Sequence, residues 1–112
     1  MVEQDITIYR GLTFGPFLIY ATDSLGAPYD LTGWTSHASV KKRASGPEIL
    51  DLSPTITNAA IGESTIELTK VITLNLNEVI AYWDFVLETP AGKLLGPFIR
   101  GVFTVTTPMT QP

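Results

Sequence analysis

The stretches Tyr82-Trp-Asp-Phe-Val-Leu-Glu88 and Ile99-Arg-Gly-Val-Phe-Thr-Val-Thr106 decide the fold. In the first, Trp83, Phe85 and Leu87 alternate with Tyr82, Asp84 and Glu88. In the second, Ile99, Gly101, Phe103 and Val105 alternate with Arg100, Thr104 and Thr106. A period of two sends successive side chains to opposite faces of a strand, one face apolar and the other wet. Val86 and Val102 are the exceptions, apolar residues on the wet side. The aromatic and β-branched side chains that fill both stretches suit a pleated, half-buried surface.

Outward from this pair, the same period recurs at Ile6 and Ile8 and again at Ile66 and Leu68. Strands are expected near residues 5–9, 14–21, 34–43, 48–52, 64–70, 82–89 and 94–106, with a short one at 55–57. Turn formers separate them, at Asp23-Ser-Leu-Gly-Ala-Pro28, Ser45-Gly-Pro47, Ala60-Ile-Gly-Glu63 and Pro90-Ala-Gly-Lys93. Seven or eight short strands punctuated this way predict an all-β, antiparallel sandwich. The alternation places Trp34 with Ala38 and Val40, and Trp83 with Phe85 and Leu87, so both indoles are expected in the core.

One segment departs from the strand period. Asn75 and Glu78 have capping-box spacing, and Leu74 and Val79 would form the hydrophobic staple around them. One or two helical turns are therefore expected at 75–80. Tyr82 follows, placed to act as a tyrosine corner that ties this connection down. Gly15-Pro-Phe17 and Gly96-Pro-Phe98 echo each other, and each proline reads as a strand start, a bulge or an edge. The end of the chain, residues 107–112, carries Pro108 and Pro112, which lack backbone donors, and is expected to be an extended tail.

The 112 residues suit one domain, 1–112, with enough chain for a core. Cysteine is absent, so disulfides and thiolate metal sites are excluded. The net charge of −4 argues against nucleic acid and anionic membrane as partners. No apolar run approaches a membrane span, and Phe17–Ala21 is too short for a signal-peptide core. Apolar residues make up 45% of the chain and charged residues 16%, against about 25% charged in typical soluble domains. A small domain with so little charge must expose apolar surface, and a partner is the natural cover for it.

No constellation carries catalysis. His37, the single histidine, alternates with Thr35, Ser39 and Lys41 on an outward face, with no positioning motif for a nucleophilic serine. The eleven acids are scattered, too sparse for a calcium loop, and read as solvated charges and turn formers. Lys41-Lys-Arg43 reads as a solvated hairpin end that also discourages edge pairing. Arg10-Gly-Leu12 and Arg100-Gly-Val102 are not phosphate loops, because no helix follows them. Trp34, Tyr82, Trp83 and Phe85 would make a sugar platform only if exposed, and the tryptophans align inward instead. No catalytic, cofactor-binding or metal-binding residue is expected, and no cofactor.

Taken in order, Ile6-Thr-Ile-Tyr-Arg-Gly-Leu-Thr-Phe14, Gly26-Ala-Pro-Tyr-Asp-Leu-Thr-Gly-Trp-Thr35, Val40-Lys-Lys-Arg43, Glu48-Ile-Leu-Asp-Leu52, Ser64-Thr-Ile-Glu-Leu-Thr69 and Tyr82–Glu88 form a pattern. It continues through Pro90-Ala-Gly-Lys93 to Gly101-Val-Phe-Thr-Val-Thr106. From about residue 5 to 106 the chain resembles short phage virion proteins with immunoglobulin-like β-sandwiches. It is similar to the N-terminal domain of phage baseplate upper proteins. The most specific piece is Asp30-Leu-Thr-Gly-Trp34. There Asp30 and Thr32 can bond nearby backbone N–H groups, Gly33 supplies the turn and Leu31 plugs the core. Two features depart from the group. The helical stretch is Thr73-Leu-Asn-Leu-Asn-Glu78 rather than rich in threonine and alanine, and Leu12 stands where an acid is common.

The resemblance implies a non-enzymatic virion structural protein, assembled in the host cytoplasm, in the tail, baseplate or fibre-attachment apparatus. A capsid cement or decoration protein is the alternative within that class; a carbohydrate-binding or adhesion module is the alternative outside it. The expected partners are other virion proteins and copies of itself, in a homo-oligomer. The leading contact segment is 10–20, since Leu18 and Tyr20 point opposite to Phe17 and Ile19 and one strand face cannot hide them all. The contact candidates are Leu12, Phe14, Leu18, Tyr20, Pro108 and Met109.

Overall fold

The computed structural model describes residues 2–43 and 45–109. Among these residues nine strands form two layers. The larger sheet contains β1 (Val2–Glu3), β2 (Ile6–Tyr9), β4 (Thr35–Lys41), β5 (Glu48–Asp51), β8 (Val79–Glu88) and β9 (Leu94–Thr106). Its order is β1-β9-β8-β4-β5, with β2 also on the β9 edge. The smaller sheet has the order β3-β7-β6, from β3 (Phe14–Tyr20), β6 (Thr55–Asn58) and β7 (Glu63–Leu68). A 3-10 turn (Ala59–Ile61) and helix α1 (Lys70–Leu74) lie on either side of β7.

The expected strands form close to their places, with β1 an unexpected addition and β8 starting at Val79 rather than Tyr82, and the chain is an all-β sandwich. Ile6, Ile8, Val40, Trp83, Phe85, Leu87, Phe103 and Val105 from the larger sheet are buried against Ile19, Ile66 and Leu68 from the smaller one. The Gly-Pro echoes are bulges: register shifts between Phe14 and Phe17 in β3, and between Phe85 and Leu87 where β8 meets β9. The Asp30 turn forms as its residues suggest. Thr32 donates to Asp30 Oδ1 through its N–H (3.0 Å) and its hydroxyl (2.7 Å), Gly33 takes a positive φ of 81°, and Leu31 is buried.

The sheets are not wholly antiparallel. β1 and β2 both run parallel to β9, in the registers Val2↔Ile99 and Ile6↔Phe103. The break between them, at Gln4 and Asp5, is held at three points. The Gln4 N–H donates to Arg100 O (2.9 Å), the Val102 N–H donates to Asp5 Oδ1 (2.9 Å), and the Trp83 indole N–H donates to Gln4 O (2.8 Å). The Gln4 carbonyl lies directly over Gly101, where any Cβ would collide with it. Gly101 thus lets the N-terminal strand approach closely enough for the buried indole to find its acceptor.

Three further expectations are corrected. The helix is at 70–74, not 75–80. Thr69 is its N-cap, accepting from the Ile72 N–H at 3.4 Å, and Asn75 is its C-cap. Val71, Ile72 and Thr73 are β-branched and extend the β7 alternation, so the segment reads as strand until the caps are seen. Glu78, placed by its spacing in a capping box, instead accepts from the Thr107 N–H at 3.3 Å. Tyr82 is not a tyrosine corner: the residue is 57% exposed on the outer face. Arg10 secures that connection instead, with Nε donating to Leu76 O (2.7 Å) and Nη2 to Leu74 O (3.1 Å). Finally, Trp83 is buried but Trp34 only half so, because it precedes β4 and lies against Tyr29 at the end of the sandwich, with ring centroids 5.8 Å apart.

Two outcomes are expected. Trp83→Ala costs about 3–5 kcal/mol by urea denaturation, and Gly101→Ala speeds amide exchange at Ile6 and Ile8 by displacing the strand above it. The Asp30 carboxyl sits below its ordinary range because Thr32 donates to it through hydroxyl and backbone. A carboxyl with a folded pKa below its unfolded one adds stability above the unfolded value, and that stability is lost as pH falls through the folded value. The stability difference between the native chain and Asp30→Asn, read as urea midpoints, should be present at neutral pH and vanish on acidification below the carboxylate range.

Candidate functional site

A five-residue helix between two strands normally turns its apolar side chains to the core. In α1 the arrangement is reversed. Thr73 is completely buried, while Val71 is 62%, Leu74 52% and Ile72 40% exposed. The cause lies in the turn after β2. The Gly11 N–H donates to Thr73 Oγ1 (3.1 Å), and that hydroxyl stands 2.9 Å from Leu12 O and 3.1 Å from Lys70 O. A buried hydroxyl satisfied by two backbone groups of another segment fixes the rotation of the helix about its axis. With Thr73 facing in, Val71, Ile72 and Leu74 must face out.

The same hydrogen bonds bring Leu12, itself partly exposed, to this end of the molecule. Arg10 joins a third segment, its Nη1 donating to Thr107 Oγ1 at 3.4 Å. Three stretches far apart in sequence, at 10–12, 70–76 and 107, are thus tied together beneath a set of exposed aliphatic side chains.

The six contact candidates do not form one surface. Leu12 belongs to the α1 end. Leu18 and Tyr20 point outward from β3, as the alternation required, opposite Thr65 and Glu63 of β7. Glu63 raises the pKa of the Tyr20 phenol by accepting its hydrogen bond. Phe14 is partly buried, packed against the core with its ring 6.0 Å from that of Phe17, because the bulge at Gly15-Pro16 separates it from the outward register of Leu18. In the tail, Met109 is fully exposed and Pro108 half-buried. The remainder of the expected tail, 110–112, lies outside the described residues. Val71, Ile72 and Leu74, missed in the sequence, had one available signal: three aliphatic residues flanking a threonine, just after a threonine able to cap.

His37 is on the outer face of the larger sheet, where its Nε2 lies 2.9 Å from Glu88 Oε1, and both side chains are open to solvent. Among the described residues no three His, Cys, Asp or Glu side chains gather into a metal-holding group, and no helix is long and apolar enough to cross a membrane. Compared with protein-family models and with curated proteins, the chain finds no match in either.

Thr73→Val keeps shape but removes the hydroxyl, leaving the Gly11 N–H and Leu12 C=O without their partner. We expect a loss of about 1–3 kcal/mol in chemical denaturation, with faster proteolysis at 10–12.

Proposed function

We propose that this chain is a non-enzymatic structural protein of a bacteriophage particle, in its tail, baseplate or fibre-attachment apparatus, and that it acts by docking onto copies of itself and other virion proteins. The carrying observation is the reversed helix. A fold that buries a threonine in order to present Val71, Ile72 and Leu74 beside Leu12 has placed aliphatic surface where only a partner would shield it. Low charge on a small domain supports the same reading, as does the likeness of Ile6–Thr106 to phage virion domains.

The strand order supports an immunoglobulin-like sandwich in particular. β3, β7 and β6 correspond to strands B, E and D of that fold. β5, β4, β8 and β9 correspond to C′, C, F and G, with the N-terminal strand alongside the last. On this correspondence α1 is the link between E and F, at one end of the sandwich, where loops are free to make contacts.

The test is mass in solution across concentration, for the native chain and for Val71→Asp/Leu74→Asp, followed by depletion from assembling phage. The native chain should associate as concentration rises, the double variant should stay monomeric with an unchanged fold, and particles lacking the protein should be defective. A native chain that remains monomeric, with particles forming normally without it, would overturn the proposal.

A further inference from the structure

The outer face of the larger sheet is the second unusual surface, and it lies apart from α1. Four residues in register cross four adjacent strands: Glu3 of β1, Arg100 of β9, Asp84 of β8 and Ser39 of β4. Beside this row Tyr82 and Lys41 face each other across β8 and β4. All six line one open concavity of about 730 Å3. Neighbouring strands are about 4.8 Å apart, so the row extends about 14 Å, enough for a short chain of rings.

The chemistry of the row is specific. Arg100 lies between Glu3 and Asp84, where opposite charges on neighbouring strands ordinarily pair. They do not pair: among the described residues the one ion pair is His37–Glu88. Ser39 donates to Glu48 at 2.6 Å, which leaves its oxygen free to accept. Tyr82 holds an exposed ring in the middle of the sheet, away from either edge. Over Tyr82, two strands in from both β1 and β5, an extended peptide finds no edge backbone to pair with. Balanced charge gives a polyanion no net attraction. An apolar ring face beside unpaired carboxylate and guanidinium groups and a hydroxyl suits a neutral molecule with apolar ring faces and rows of hydroxyls.

We propose that this face binds a neutral hexose oligosaccharide, with Tyr82 stacking on one sugar ring and Asp84 and Arg100 bonding the hydroxyls of that ring and its neighbour. The site is independent of the α1 surface and of the virion reading.

The experiment is titration of the full chain with maltohexaose, cellohexaose and mannohexaose in turn, followed by calorimetry and by tyrosine ring NMR signals. At least one should bind saturably in the millimolar range or tighter and shift the Tyr82 resonances. Tyr82→Ala and Asp84→Asn should each weaken that binding by about tenfold or more, a change of about 1.4 kcal/mol, while keeping the circular dichroism of the native chain. Val71→Asp/Leu74→Asp should bind as the native chain does. Absence of saturable binding to all three sugars, or binding that survives both Tyr82→Ala and Asp84→Asn, overturns the proposal. Should Tyr82→Ala not fold, Asp84→Asn and Arg100→Gln decide the matter in the same way.

Discussion

The close crossing of the N-terminal segment over Gly101 is the constraint on which the larger sheet depends. Trp83 is the bulkiest side chain in that sheet's core, and its indole N–H must find an acceptor or cost free energy. The acceptor is the Gln4 carbonyl, which reaches it only because Gly101 has no side chain. The break at Gln4 and Asp5 that makes this possible also splits the N-terminal strand into β1 and β2. Both halves then pair parallel to β9, so the long β8–β9 hairpin is no longer the edge of the sheet.

A second polar knot, at the far end of β2, works with the first. Arg10 bonds the carbonyls of Leu74 and Leu76 and the hydroxyl of Thr107, while Thr73 bonds the backbone of Gly11 and Leu12. A guanidinium has several donors in a rigid fork and can serve several backbone acceptors together. The connection from β7 to β8 is thereby held by an arginine from the opposite end of the chain, in place of the tyrosine a sandwich often uses. The apolar exposure of α1 follows from this knot. The rotation that satisfies Thr73 is the same rotation that turns the aliphatic residues outward.

The two surfaces of the molecule therefore have different physical origins. The α1 end is apolar because polar satisfaction inside the fold overrode apolar burial. The outer face of the larger sheet carries carboxylate, guanidinium and hydroxyl groups among apolar Val86 and Val102, because period-two alternation put its polar residues there. The one is suited to removing area from water, the other to directional hydrogen bonds around a ring, and neither shares a residue with the other.

Alternation and the turn formers between its runs indicated every strand but β1, the two-layer architecture, the burial of Trp83, Ile6 and Ile8, and the outward direction of Leu18 and Tyr20, because side-chain direction in a strand is set locally by the pleat. The Asp30 turn was equally legible, since its hydrogen bonds join residues two apart. Only the tertiary structure decided the parallel pairing of β1 and β2, since nothing in one strand's period says which neighbour it will have. It also placed the helix at Lys70–Leu74, where β-branched residues read as strand and where the caps at Thr69 and Asn75 outweighed a capping-box spacing a few residues later. The half-burial of Trp34 and the inward turn of Phe14 were hidden for a related reason: a strand end and a bulge each interrupt the register that alternation assumes. The α1 surface was the least legible of all, because its orientation is set by hydrogen bonds between residues more than sixty positions apart, and such bonds leave no periodic trace in a sequence.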